Sequence, residues 1–383
     1  MEDSVYFTYT FYMNIYALNN TADIISPALI YYKDIIAANT KRTIEMAGGP
    51  ERLWPHVKSH KTKEMIRMQI DMGISRFKCA TIAEAEMTAE AGASQIILAY
   101  PLLGPNISRF IRLVTVFNQV RFYAIGDDIE QLRLLSEEAV KAKIQVNVLA
   151  DVDAGMHRTG VPFDRLESFY EKVTAITGIS LNGLHCYDGH LHDSDYNLRK
   201  AKVDEIDRQV LDIQASLVRK GMDCGLLVMG GTPAFPCRTA SLAERSGMYL
   251  SPGTCFIGDW GTGEKIPDMA FPPGAALFTR VVSHPGGNSF TLDLGSKGIA
   301  ADPPGARGII AGMEEAKPLF QSEEHWVFAM PEGKNPPPIG SACYVLPAHI
   351  CPTSALYQCI LAVRDGTIAE EWQVAARNRK LRF

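Results

Sequence analysis

The sequence predicts an α/β fold: a (β/α)8 TIM-like barrel followed by a C-terminal antiparallel β domain. Three observations predict it. From Pro27 to about Thr254, short apolar runs alternate with longer segments of helical period. Eight such runs occupy roughly 230 residues, the count and length of a closed barrel. After Thr262 prolines and glycines crowd in, and the apolar runs become β-type with tight turns. An open doubly wound sheet stays a rival, because periodicity does not report closure.

The expected barrel strands lie at 53–58 (LWPHVK), 76–80 (RFKCA), 95–100 (QIILAY), 121–125 (RFYAI), 144–150 (IQVNVLA), 179–187 (ISLNGLHCY), 226–230 (LLVMG) and 248–251 (MYLS). Between them, TIAEAEMTAEAG and DIEQLRLLSEEAVKAK place apolar residues three and four apart and close on glycine or a loop, as amphipathic helices do. Beyond 262, ALFTRVV, PGGN and FTLDLG read as strand, turn and strand. The opening VYFTYTFYMNIYAL alternates like a strand, although Met13 could be the natural start. The expected organisation is an extension over 1–24 that joins the β domain, a barrel over 25–262 and a β-rich domain over 263–383.

Composition removes several classes of function. With 46% hydrophobic and 21% charged residues the chain is too apolar to be disordered. A net charge of −5 without a Lys/Arg run argues against nucleic acid as a partner. No apolar stretch reaches the ~18–20 residues of a membrane span. The first basic residue is Lys33, so the opening lacks the basic start of a secretory signal. Eight cysteines without a CxxC pair read as thiols of a reducing compartment, and a cytoplasmic location is expected.

The densest chemistry is Pro55-His-Val-Lys-Ser-His-Lys61. On a strand, His56, Lys58 and His60 share one face, opposite Val57, Ser59 and Lys61. His60 and Lys61 also read as a solvated rim. Active sites of such barrels lie at the carboxyl ends of the strands. A desolvated lysine beside other cations is a ready nucleophile there, which singles out Lys58. The last two barrel strands run into Met229-Gly-Gly-Thr-Pro233 and Ser251-Pro-Gly-Thr-Cys255. Gly231, Thr232, Gly253 and Thr254 bare backbone N–H groups and hydroxyls where such barrels bind phosphate. One amine and one phosphate cradle point to pyridoxal 5′-phosphate.

Further candidates surround this pair. Asp151-Val-Asp-Ala-Gly-Met-His-Arg-Thr-Gly160 puts Arg158 on a glycine-flanked loop, as a cation for the cofactor's phenolate or as a surface residue. His185-Cys-Tyr-Asp-Gly-His-Leu-His192 closes the sixth strand with three histidines, His185, His190 and His192. In the β domain, His349 and Cys351 are one residue apart, on one side of a strand, and offer two ligands for Zn²⁺. A buried thiol beside a chance histidine is the other reading.

Taken together these residues resemble the D-threonine aldolase / D-serine dehydratase family, pyridoxal phosphate enzymes on the alanine-racemase-like barrel. The family's Pro-His-x-Lys-Thr-His-Lys signature matches Pro55–Lys61, with Ser59 for Thr, and assigns the cofactor's covalent link to Lys58. DxGxxRxG matches Asp153, Gly155, Arg158 and Gly160, and the phosphate turns match Gly230–Pro233 and Pro252–Thr254. The metal motif matches His349 and Cys351, followed by Pro-Thr. Ala99-Tyr-Pro101, Asp293–Lys297 and Glu323-Glu-His325 follow in the expected order.

The resemblance implies His56 and His185 beside the cofactor, His185 standing at the pyridine nitrogen where relatives carry Tyr or Gln. A divalent metal is implied on His349 and Cys351, Zn²⁺ first, with Mn²⁺ or Mg²⁺ as alternatives. It further implies a small-molecule D-amino acid substrate and a homodimer. Cys351 leans toward the dehydratases, whereas Tyr187-Asp-Gly-His190 sits nearer the aldolases. Retro-aldol cleavage of a β-hydroxy-D-amino acid, with His190 or His192 as the base, is the expected reaction. Dehydration to a 2-oxo acid and ammonia, with Lys58 taking the α-proton, is the alternative. A racemase or a non-catalytic cofactor carrier fits less well, given the metal pair and the attached β domain.

Overall fold

The structure, a computed structural model, describes residues 15–239, 247–302 and 304–383. The chain divides into two compact units, Met1–Thr40 with Thr254–Arg377 and Lys41–Gly253 with Asn378–Phe383. The first strand, β1 (Ala28–Tyr32), belongs to the former.

The latter unit is the barrel. It comprises β2 (Arg76–Cys79), β3 (Gln95–Leu98), β4 (Arg121–Gly126), β5 (Val146–Asp153), the two-residue β6 (Val161–Pro162), β7 (Ile179–Cys186), β8 (Leu226–Met229) and β9 (Met248–Leu250). These pair in parallel in the order β2-β3-β4-β5-β7-β8-β9, with β6 beside β5. The seven expected ranges from 76–80 onward overlap these strands.

The eighth stave is incomplete. Leu53 bridges to Leu250 and His56 to Lys78, so the ring closes through four residues. Trp54 N donates to Leu250 O and Lys78 N to Pro55 O, each at 2.7 Å. Pro55 has no N–H to return to β2, but His56 N still donates to Pro252 O at 2.9 Å. The expected strand 53–58 therefore ends at His56, and Val57–Ser59 form a 3₁₀ turn. Alternation of faces does not carry through to Lys58 and His60.

Within the barrel, Trp54, Ile97, Tyr123, Ile125, Leu149 and Val228 form a buried apolar cluster. Trp54 stands edge-on to Tyr123 and Tyr249, with ring centroids 5.7 and 5.6 Å away. Two residues beyond Leu149 on the same face of β5 comes Asp151, and the lining turns polar. Helix starts are fixed by side-chain caps: Thr81 accepts from Glu84 N, Asp128 from Gln131 N and Asp195 from Leu198 N.

The other unit is a β sheet with strands β10 (Ala275–Gly286), β11 (Ser289–Leu292), β12 (Gly308–Ile310), β13 (Lys317–Gln321), β14 (Trp326–Ala329), β15 (Ala342–Pro347), β16 (Cys359–Arg364) and β17 (Thr367–Gln373). Its order is β13-β14-β11-β10-β1-β16-β17, with β15 on β10 and β12 on β15; β1–β16 is parallel and the other pairs are antiparallel. Residues 28–32, inside the range expected to be barrel, thus lie in the middle of this sheet. The units divide at 40/41 and 253/254, where 24/25 and 262/263 were expected. Of the strand expected near the N-terminus, residues 1–14 lie outside the described residues. Ile15, Tyr16 and Leu18 pack on a core with Ile30, Phe278 and Tyr344. No cysteine is paired in a disulfide among the described residues. Among the described residues no helix is long and apolar enough to cross a membrane.

Candidate active site

The carboxyl ends of the barrel strands gather a cluster of cations around one ring. Lys58 Nζ lies 5.7 Å from the centroid of Tyr187, Lys78 Nζ 5.6 Å and the Arg158 guanidinium 5.0 Å. Lys58 is half-buried on its 3₁₀ turn, which His56 caps by accepting the Lys58 N–H at its Nδ1, 3.3 Å away. Burial and the neighbouring Lys58 and Lys78 charges hold His56 well below the usual imidazole range, so it is neutral.

The two flanking residues of the motif serve the fold. His60 is buried and accepts the Thr62 N–H at 3.2 Å; burial and Lys61 push its pKa down to about 3. Lys61 pairs with the fully buried Glu84. Neither forms the solvated rim that the sequence allowed.

Lys78, on β2, was legible only as a strand residue. It is 2% exposed and its Nζ lies 3.5 Å from His185 Nε2. On β7, His185 Nδ1 is 2.7 Å from Asp151, whose other oxygen accepts from Thr159 Oγ1 at 2.8 Å. Burial outweighs the pull of Asp151 and lowers the His185 pKa. The neutral ring therefore donates from Nδ1 and presents the Nε2 lone pair to Lys78.

The two glycine turns meet. Thr232 Oγ1 accepts the Gly253 N–H at 3.1 Å, so the loops after β8 and β9 are tied together. Gly230 has φ +74°, and a Cβ there would fall 2.2 Å from the Arg238 guanidinium. Arg238 is itself buried between Asp188 at 2.6 Å and Asp207 at 2.7 Å. This triad joins the end of β7 to the glycine turn. No motif in the sequence marked it. A Cβ on Gly231 would come 2.8 Å from the Tyr187 ring, which puts that ring against the turn. Thr254, the remaining residue of the expected cradle, lies in the other unit with its hydroxyl 3.5 Å from Cys351 Sγ.

The histidines after β7 separate. His190 is half-buried, its Nδ1 makes no hydrogen bond among the described residues, and a Cβ on Gly155 would approach its Nε2 to 3.2 Å. It thus stands against the Asp151–Gly160 loop that carries Arg158. His192 is exposed and is not drawn into this cluster.

In the β-sheet unit, His349 and Cys351 do not share a strand. His349 is the N-cap of a helix, Ile350–Leu356, and Cys351 lies in its first turn. A helix start still places them two residues apart, and His349 Nδ1 is 2.6 Å from Asp302 Oδ2. Burial disfavours the imidazolium, but Cys351 and Asp302 outweigh it and raise the His349 pKa to about 9. Among the described residues no group of three or more His, Cys, Asp or Glu side chains is arranged to hold an ion.

A barrel with an amine, glycine turns and an appended β domain defines an alanine-racemase-like protein, and comparison with known proteins agrees. Residues 33–259 match the family model "Alanine racemase, N-terminal domain" and residues 274–363 match "Putative serine dehydratase domain". The chain is 29% identical over 336 residues to a D-threonine aldolase of an Arthrobacter species, covering 85% of each chain. It is 24% identical over 372 residues to a 3-hydroxy-D-aspartate aldolase of Paracoccus denitrificans (strain Pd 1222), covering 94% of this chain and 93% of that one. The crystal structure of D-threonine aldolase from Filomicrobium marinum superposes with a TM-score of 0.85 at 26% identity, covering 93% of this chain and 96% of that one. The chain belongs to the alanine racemase N-terminal-domain family and, within it, to the D-threonine aldolase / D-serine dehydratase group of pyridoxal phosphate enzymes.

The residues present fit that cofactor. An amine, a second cation in Arg158 and a glycine turn where a side chain is sterically barred converge on one aromatic ring. Such a set suits an aldehyde, a phenolate and a phosphate. The donor types of His349 and Cys351 also fit a borderline divalent ion. A carboxylate on the other imidazole nitrogen is the usual way a ligating histidine is oriented.

Proposed function

We propose that the protein is a pyridoxal phosphate- and divalent-metal-dependent lyase that cleaves a β-hydroxy-D-amino acid between Cα and Cβ, giving glycine and an aldehyde. The observation that carries this reading is the convergence of Lys58, Arg158 and Gly231 on the Tyr187 ring, with His190 nearby and its Nδ1 unengaged.

When bound, pyridoxal phosphate supplies a carbonyl for an amino group and an electron sink, and a divalent ion supplies Lewis acidity toward a hydroxyl. The chain's own residues do the rest. Lys58 holds the cofactor and yields it to the substrate amine. Arg158 sets the phenolate side, with His56 and His185 alongside. The backbone N–H at Gly231, with the Thr232 hydroxyl that ties down the Gly253 turn, binds the phosphate. His349 and Cys351 hold the ion, with Zn²⁺ favoured by a thiolate ligand. His190 takes the β-hydroxyl proton; its partial burial and free nitrogen support it over the exposed His192.

Dehydration is the second reading, favoured by Cys351 and by the serine dehydratase match of residues 274–363. Lys58 would then remove the α-proton. Substrate deuterated at Cα separates the two: cleavage by His190 leaves the rate unchanged, whereas proton removal by Lys58 slows it where that step limits.

A further inference from the structure

A lysine buried in a barrel costs free energy unless something repays its charge. Lys78 is 2% exposed, and among the described residues no carboxylate forms an ion pair with it. The groups that face it come from the first stave and from the far side of the ring, since β3 beside it offers only Gln95, Ile96, Ile97 and Leu98. His56 and Lys58 approach from the 53–59 segment, Asp151 and Arg158 from β5 and its loop. His185, Tyr187 and Asp188 approach from β7. Both carboxylates are engaged elsewhere, Asp151 by His185 and Thr159 and Asp188 by Arg238. Burial, then Lys58, outweighs their attraction, with Arg158 adding to the repulsion, and the Lys78 pKa falls to about 7.

We infer that Lys78, buried between His185 and the Tyr187 ring, is an anion-binding residue of the cofactor pocket that receives an anionic oxygen of pyridoxal phosphate. The inference rests on the cofactor reading above. Three cations border the same ring, but Lys58 is committed to the aldehyde carbon, which leaves Arg158 and Lys78 for the ligand's oxygens. Lys78 is also the more buried of the two amines and borders the same ring that Gly231 abuts.

The consequence is a linkage with a definite sign. An amine whose pKa is about 7 in the free protein has that pKa raised by an adjacent anion, so above pH 7 the complex takes up a proton, toward one as pH rises. Affinity then falls toward tenfold per pH unit as pH rises. The test uses the full chain stripped of cofactor and 4′-deoxypyridoxine 5′-phosphate, which carries the phosphate and phenolate but no aldehyde for Lys58. Affinity and proton uptake are measured by calorimetry from pH 6 to 9 in buffers of different ionisation enthalpy. Wild type is expected to approach one proton taken up at pH 8.5 in excess of Lys78→Met, which binds at least tenfold more weakly at pH 7. Lys78→Arg, permanently charged, is expected to bind tightly with that excess uptake gone. Equal uptake in all three proteins overturns the role of Lys78. Failure of the analogue to bind wild type at all overturns the cofactor reading and the inference with it.

Discussion

The carboxylate of Glu84, fully buried, is paired with the ammonium of Lys61 and also accepts the Ala80 N–H at 2.5 Å. Two lysines of one seven-residue motif thus have different work. Lys58 stands free at the Tyr187 ring, while Lys61, at φ +58°, ties the motif to the helix after β2.

Lys58→Ala is therefore expected to abolish borohydride fixation of the cofactor to the chain, whereas Lys61→Ala keeps it. Lys61→Ala leaves a buried charge unpaired and is expected to cost about 3 kcal/mol of stability, much of it recovered in the Lys61→Ala/Glu84→Gln double variant. Thermal melts and borohydride trapping followed by peptide mapping check both parts. Trapping retained in Lys58→Ala would sink the assignment.

Buried neutral histidine makes the fold acid-sensitive. His60 ionises near pH 3 when folded and near 6.5 when unfolded, so the unfolded chain binds the extra proton between these values. Its contribution is complete above pH 6.5 and is lost as pH falls toward 3, at about 1.4 kcal/mol per pH unit. His60→Asn, whose side-chain oxygen can accept from Thr62 N, is expected to flatten the stability-versus-pH curve by that slope. Urea titrations at pH 4.5, 5.5 and 6.5 measure it, and parallel curves for the two proteins would contradict it.

Seven barrel strands were legible because each is a short apolar run set off by turns from segments of helical period. The first stave was overextended because the chain leaves the ladder after His56 for the 3₁₀ turn Val57–Ser59, which hydrophobicity alone does not report. Lys78 was passed over for a related reason. In RFKCA a lysine next to Phe77 looks like a snorkelling surface residue, and pairing of His56 with Lys78 across the closed ring is what turns it inward. His349 and Cys351 were found as a pair through their types, but a strand was assumed where Thr353 and Ser354 bond back to the carbonyls of His349 and Ile350 in a helix. β1 went unassigned because its partners, Ala275–Phe278 and Leu361–Val363, lie more than 240 residues away. His190 and His192 look equivalent in sequence, and the fold alone distinguishes them.

Removing the ion should separate its chemistry from the cofactor's. Chelation is expected to abolish most lyase activity while the visible absorbance of the bound cofactor persists, and His349→Ala and Cys351→Ala should each do the same. A two-ligand site acts on substrate oxygen and does not hold the fold together, so melting temperature should change little. Full turnover by protein shown to be metal-free by elemental analysis would refute the role.

The most direct measurement is the identity of the products. The enzyme, loaded with pyridoxal phosphate and Zn²⁺, is incubated with D-threonine and with D-serine, and the mixtures are resolved by chromatography. We expect glycine and acetaldehyde from D-threonine, reduced at least a hundredfold in His190→Ala, as loss of a general base requires. 2-Oxobutanoate or pyruvate with ammonia, and no glycine, would contradict it.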